Sequence, residues 1–189
     1  MKNIAQAYMK EMAVILENFS MEALEEVAIK IRQAYDKGKH IFVMGNGGSG
    51  TTASHFACDI NKGVSKDLEK RFKMICLNDS IPTMLAYAND IAYEDIFIEQ
   101  LKNFLEPEDV VIGISASGNS KNVIKAIQYA KENSGITIGL TGFDGGQLSR
   151  ISATSVIVPS NDMQKIEDTH LILLHIIMRI FYSQLVVSS

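Results

Sequence analysis

Residues 40–59 read HIFVMGNGGSGTTASHFACD, and this stretch decides the fold class. The apolar run HIFVMG stops at a glycine-rich turn, and a helical pattern follows from about 49 to 62, making a strand, loop and helix unit. Four more apolar runs end in turn residues: MICLND (74–79), DVVIGISAS (109–117), TIGLTG (137–142) and SVIVPS (155–160). Helical patterns lie between them at about 81–104, broken near Asn89-Asp90, and at 120–133, and a long last helix is predicted over 163–187. Ahead of the unit, Ile4, Met9, Met12, Ile15 and Leu16 fall at helical spacing over 2–18. Ser20 is placed to cap a second helix to about Asp36, with Glu22 in its first turn. Strands that alternate with helices and read as continuous apolar runs imply an α/β fold with a parallel sheet covered on both faces. Ligands in such folds sit at the carboxyl ends of the strands.

At 189 residues and 47% hydrophobic, the chain suits one domain over 1–189, with helices in 1–37 and the α/β core in 38–189. A formal charge of -4 without a basic stripe argues against nucleic acid as a partner. Two cysteines, Cys58 and Cys76, without C-x-x-C spacing, and an N-terminus interrupted by Lys and Glu, suit a reduced, cytoplasmic protein. The run LILLHIIMRIFYSQLVV (171–187) contains His175 and Arg179, and reads as a buried helix rather than a membrane span.

Gly45, Gly47 and Gly50 satisfy G-x-G-x-x-G between a strand and a helix. A dinucleotide site also wants an acidic residue about 20 positions on, and Asp79 comes later than that, so no nucleotide cofactor is expected. A second loop, SASGNS (115–120), repeats the strand-to-helix position and adds three hydroxyls. Backbone N–H groups at a helix start, the helix dipole and serine hydroxyls together can hold a phosphate dianion without lysine. On this reading Ser115, Ser117 and Ser120 hold a sugar phosphate, while Asn46, Gly47, Gly48 and Ser49 line the sugar. The plainer alternative is that Ser120 only caps its helix and the glycines only turn the chain.

His55 and Asp59 are four apart and share a helix face, as a metal or proton-transfer pair would, or as an ordinary exposed pair does. His175 interrupts an apolar helix, and a buried imidazole needs a partner. Glu167 stands eight residues earlier, about 80° around the helix, whereas His170 points about 140° away.

These residues resemble the SIS (sugar isomerase) domain family, and within it the phosphoheptose isomerases. The resemblance rests on GNGGS followed by HFACD, AND at 88–90, GISASGNSKNV at 113–123, VIVPSND at 156–162 and IEDTHLILLH at 166–175. It implies a three-layer sandwich around a five-stranded parallel flavodoxin-like sheet, preceded by a helical pair used in oligomerisation. It also implies a homotetramer with active sites at subunit interfaces. Substrate contacts then fall on Asn46, Gly47, Gly48, Asn89, Asp90, Ser115, Ala116, Ser117 and Ser120. The general base and acid fall on Asp59 and His175, and a zinc ion on His55, Asp59, Glu167 and His175. Two positions depart from the family pattern, which has Glu at Asp59 and Gln at Glu167. Asp is shorter than Glu by roughly 1.5 Å, and Glu167 is expected to compensate as a zinc ligand or as the base. Gly63 stands where relatives carry arginine, with Lys62 next to it. The implied reaction is an aldose-ketose isomerisation of sedoheptulose 7-phosphate through an enediolate. The alternatives are another phosphosugar isomerase, or a non-catalytic phosphosugar- or protein-binding module of the replication-initiator-associating type.

Overall fold

A computed structural model describes residues 1–187. The five apolar runs form β1 (His40–Gly45), β2 (Lys73–Cys76), β3 (Val110–Ile114), β4 (Ile136–Thr141) and β5 (Thr154–Ile157). They join in one sheet of order β2-β1-β3-β4-β5 with every pair parallel. The inner strands β1, β3 and β4 bury both faces, as helix-covered parallel strands do, whereas the edge strands β2 and β5 leave Ile75 and Ile157 exposed. Ile41 and Val43 of β1 enter one core, and Phe42 and Met44 enter the other. Complete burial of each such side chain stabilises the fold by roughly 1.5–3 kcal/mol.

Helices α2 (Met21–Lys37), α3 (Gly47–Cys58) and α8 (Met163–Tyr182) cover the first face; α5 (Ile98–Phe104), α6 (Lys121–Glu132) and α7 (Gly146–Ile151) cover the second. Helix α2 starts where Ser20 accepts the amide of Ala23 at 3.3 Å and stops at Gly38, whose φ of +68° few other residues tolerate. Helix α1 (Lys2–Glu17) rests on α8 and buries only Ile15. Tyr8 donates to Asp168 at 2.6 Å, and Lys165 pairs with Glu11 and Asp162, which ties the two helices together.

The helical pattern over 81–104 breaks where expected: α4 (Ile81–Asp90) ends at Asp90, and a short turn at Tyr93–Asp95 leads into α5. Helix α7 adds a six-residue element too short to show periodicity in sequence. After Cys58 the helix widens into a π-helical stretch, Asp59–Val64, and π-helical turns recur at functional sites. The segment Met163–Val187 has a mean hydropathy of 1.7 over its most apolar window and is long enough to cross a membrane. Its Ile166, Leu173, Leu174, Ile177 and Phe181 are instead buried in the core. His175 corrects the expectation of a buried imidazole: it is exposed, lying at the surface beside His55 and Asp59. The buried histidine is His170, whose Nε2 lies 3.0 Å from the carbonyl of Thr141. Burial pushes its pKa down to about 4.

Candidate active site

The sheet order reverses between β1 and β3, which makes this the switch point where parallel α/β sheets bind ligands. Gly45 pairs with Ile114, so the loops leaving these two strands start side by side. Between them lies a polar recess of about 110 Å³ lined by Asn46, Ser49, Ile114, Ser115, Ala116, Ser117, Ser120, Met163 and Glu167. Larger hollows elsewhere, such as one of about 450 Å³ between α2 and the end of α8, are mainly apolar.

The two helices that follow β1 and β3 at the recess lack a side-chain cap. Asn46 occupies the capping position of α3 and Ser120 that of α6, yet neither accepts a first-turn amide. Ser120 Oγ lies 3.0 Å from Ser115 Oγ. Asn46 exchanges amide hydrogen bonds with Asn122, at 2.8 and 2.9 Å, and its Oδ1 accepts the Tyr93 hydroxyl at 2.8 Å. Apart from the Val123 amide, which donates to Asn122 Oδ1, this leaves first-turn amides at the positive ends of both helices without a capping side chain, as an anion site requires. Ser120 therefore does not cap its helix, as the plainer alternative required.

Two glycines shape the first loop. Gly47 has φ +51°, which disfavours a side chain, and a Cβ on Gly48 would come within 2.8 Å of Glu167 Cδ. The missing side chain lets the Glu167 carboxylate lie against the start of α3. From there α3 and α8 run on together: seven residues after Gly48 comes His55, and eight after Glu167 comes His175. At 1.5 Å per residue this second level lies about 10–12 Å along the helices.

There His55 Nε2 and His175 Nε2 are 3.0 Å apart, and Asp59 Oδ2 is 3.3 Å from the first and 3.4 Å from the second. Donors bound to a tetrahedral zinc stand about 3.3–3.4 Å from one another, so two imidazoles and a carboxylate at these separations fit a zinc with one open position. Glu167 is not in this group. The protomer thus assembles three of the four expected ligands, because Glu167 sits two turns back along α8 with its carboxylate in the recess.

Asn89 and Asp90 end α4, exposed and bonded to each other at 2.8 Å, and neither lines the recess. Lys62 is exposed on the π-helical stretch, and it too lies outside the recess lining. Sequence reasoning missed Asn78, Tyr93 and Asn122. Asn78 donates to the Gly45 carbonyl at 2.7 Å and accepts its amide at 3.2 Å, so it braces the end of β1. A polar residue closing an apolar strand was the one available sign of it.

The description of the SIS domain matches residues 7–142. The chain is 40% identical over 163 residues to the phosphoheptose isomerase of Helicobacter pylori (strain ATCC 700392 / 26695), covering 84% of each chain. It is 34% identical over 179 residues to that of Aliarcobacter butzleri (strain RM4018), covering 95% of this chain and 94% of the relative. The structure of phosphoheptose isomerase from Neisseria gonorrhoeae superposes with a TM-score of 0.89 at 27% identity, over 96% of this chain and 98% of that one. A phosphoheptose isomerase from Francisella tularensis, at 23% identity and a TM-score of 0.90, shows the same fold. With its sheet order, its two uncapped helix starts and these matches together, the chain belongs to the SIS domain family.

Proposed function

We propose that this protein is a phosphoheptose isomerase that interconverts sedoheptulose 7-phosphate and D-glycero-D-manno-heptose 7-phosphate. The observation that carries this reading is the two-level site: a serine-lined recess between uncapped helix starts, and an imidazole-carboxylate group two turns further along α3 and α8. An extended seven-carbon sugar phosphate spans roughly 9 Å from phosphorus to C2. That span matches the separation of the levels and argues against a much shorter sugar. The similarity to enzymes of that name supports the same substrate.

In this mechanism Ser115, Ser117, Ser120 and the first-turn amides of α3 and α6 hold the phosphate. This positioning makes proton transfer effectively intramolecular. Asp59 takes the proton from the carbon next to the carbonyl and returns it to the neighbouring carbon. His175 moves the proton between the two oxygens, so the pair acts as general base and acid. Glu167 accepts a sugar hydroxyl beside the phosphate and aligns the chain.

His55, Asp59 and His175 would hold a zinc ion, which would supply Lewis acidity toward the sugar oxygens. We also place the enzyme in the cytoplasm as a homotetramer. Ile4, Met9 and Val14 of α1 and Ile81 and Leu85 of α4 are exposed, and an interface between copies would cover such apolar faces. Gel filtration at monomer mass would remove that part of the reading.

The deciding experiment is incubation of the purified protein with sedoheptulose 7-phosphate, with and without added zinc. An aldose heptose phosphate is expected, and no turnover under either condition rejects the assignment. Metal analysis of protein prepared without chelators checks zinc separately: a metal-free protein whose rate ignores added zinc rejects the metal.

A further inference from the structure

Asn46 is a strong helix-capping residue type, in the capping position and with extended backbone (φ -111°, ψ 150°), whose side chain turns away from its helix. What it does instead is determined atom by atom. The Val123 amide donates to Asn122 Oδ1 at 2.9 Å, so Oδ1 and Nδ2 of Asn122 cannot exchange places without setting two N–H groups against each other. With Asn122 oriented, its Nδ2 must face Asn46 Oδ1 and its Oδ1 must face Asn46 Nδ2, as observed. Asn46 Oδ1 then accepts from both Asn122 and Tyr93, which fills both of its lone pairs. Asn46 Nδ2 has given one hydrogen to Asn122 and keeps one.

Tyr93 is 58% exposed, but its turn is held in place. Its neighbours Glu94 and Asp95 pair with Lys121 and Lys125 of α6, one on each side of Asn122 in sequence. Asn122 is 2% exposed and buried at the start of that helix. A single chain of hydrogen bonds thus runs from the backbone of α6, through Asn122, to the sugar-side loop of β1, with Tyr93 closing it from the solvent side.

We propose that Asn122 and Tyr93 are positioning residues that lock the Asn46 carboxamide so that it offers the bound sugar phosphate one N–H donor and no acceptor. The partner must then be an oxygen that accepts: a carbonyl, an enediolate or phosphoryl oxygen, or a hydroxyl that gives its own hydrogen elsewhere. The inference rests on the reading that the recess takes a phosphosugar, and it adds which group of the ligand Asn46 can meet.

A double-mutant cycle tests it, using Tyr93→Phe, Asn46→Ala and the double variant, with kcat and KM measured on sedoheptulose 7-phosphate. Tyr93→Phe keeps the ring and removes one hydroxyl on an exposed turn. Loss of one hydrogen bond corresponds to about a three- to tenfold fall in kcat/KM in the otherwise native protein. On the Asn46→Ala background the same change is expected to cost less than about twofold, because the group it orients is gone. Equal factors in both backgrounds, or no effect in the native one, overturn the proposal. Asn122→Asp, which keeps the acceptor for Val123 and removes the donor to Asn46, is expected to lower kcat/KM at least as much as Tyr93→Phe. Full activity in Asn122→Asp also overturns it. If the native protein turns over no phosphosugar, the functional reading fails by itself. The locked orientation is then read from the cycle proteins by thermal unfolding, where non-additive shifts support it and additive shifts overturn it.

Discussion

Four helices show two uses of the same residue types. Ser20 and Asp162 cap α2 and α8, and each accepts first-turn amides of its own helix. Asn46 and Ser120 hold the equivalent positions on α3 and α6 and cap nothing. The second pair lines the recess and the first does not, although the helix start that Asp162 caps contributes Met163 to the lining. Histidines divide in the same way on one helix, since His170 is buried against Thr141 and His175 is exposed beside His55. One set of polar groups bonds the backbone of its own helix or of the core, and the other, at one edge of the sheet, bonds neighbouring side chains instead.

This division has measurable consequences, and the largest concerns His170. Its folded pKa of about 4 lies below the ordinary value of 6.5. Between those values the unfolded chain binds a proton that the folded chain rejects. Stability from this group is therefore complete above about pH 6.5 and declines as pH falls toward 4, by roughly 3 kcal/mol in all. Urea unfolding across that range should show the decline, and His170→Gln should lack this component. An identical pH slope in the variant would contradict the structural role.

Next in size, Gly48→Ala drives a methyl group into the Glu167 carboxylate. Displacement of a substrate-contacting group by about 1 Å can cost about a hundredfold, so kcat/KM should fall by that order while the chain still folds. Unchanged kinetics would show that Glu167 has no part in the site. Ser120→Ala should raise KM about tenfold through a lost charge-assisted hydrogen bond, with little change in the unfolding midpoint because Ser120 caps nothing. Ser20→Ala should do the reverse, costing about 1 kcal/mol of stability and leaving KM unaltered. If both serine variants lose stability and neither loses affinity, the contrast between the two pairs of helices disappears.

The inner strands were legible because burial on both faces writes itself as unbroken apolar runs, and each expected run overlaps an observed strand. Helices α2 and α8 were legible through Ser20 and through a long apolar period. The segment 81–104 was less so, because α4 buries no residue and its apolar positions report no core. His175 misled for a related reason: an apolar helix reads as buried all round, but only packing shows which stripe is covered. The recess was legible in outline from its two Gly/Ser loops. Its bracing was not, because the partners of Asn46 lie 47 and 76 residues away.

Local chemistry in the chain determined by itself most strand and helix segments, the two Gly/Ser turns and the set of ionisable side chains, since periodicity, turn geometry and capping act over a few residues. The tertiary structure alone decided which of those side chains meet. Placing β1 beside β3 sets Asn46 against Asn122, and laying α3 along α8 joins His55 and Asp59 to His175 while Glu167 goes to the recess. Such pairings depend on strand order and helix register, and these follow from the burial of the whole sheet rather than from any short stretch.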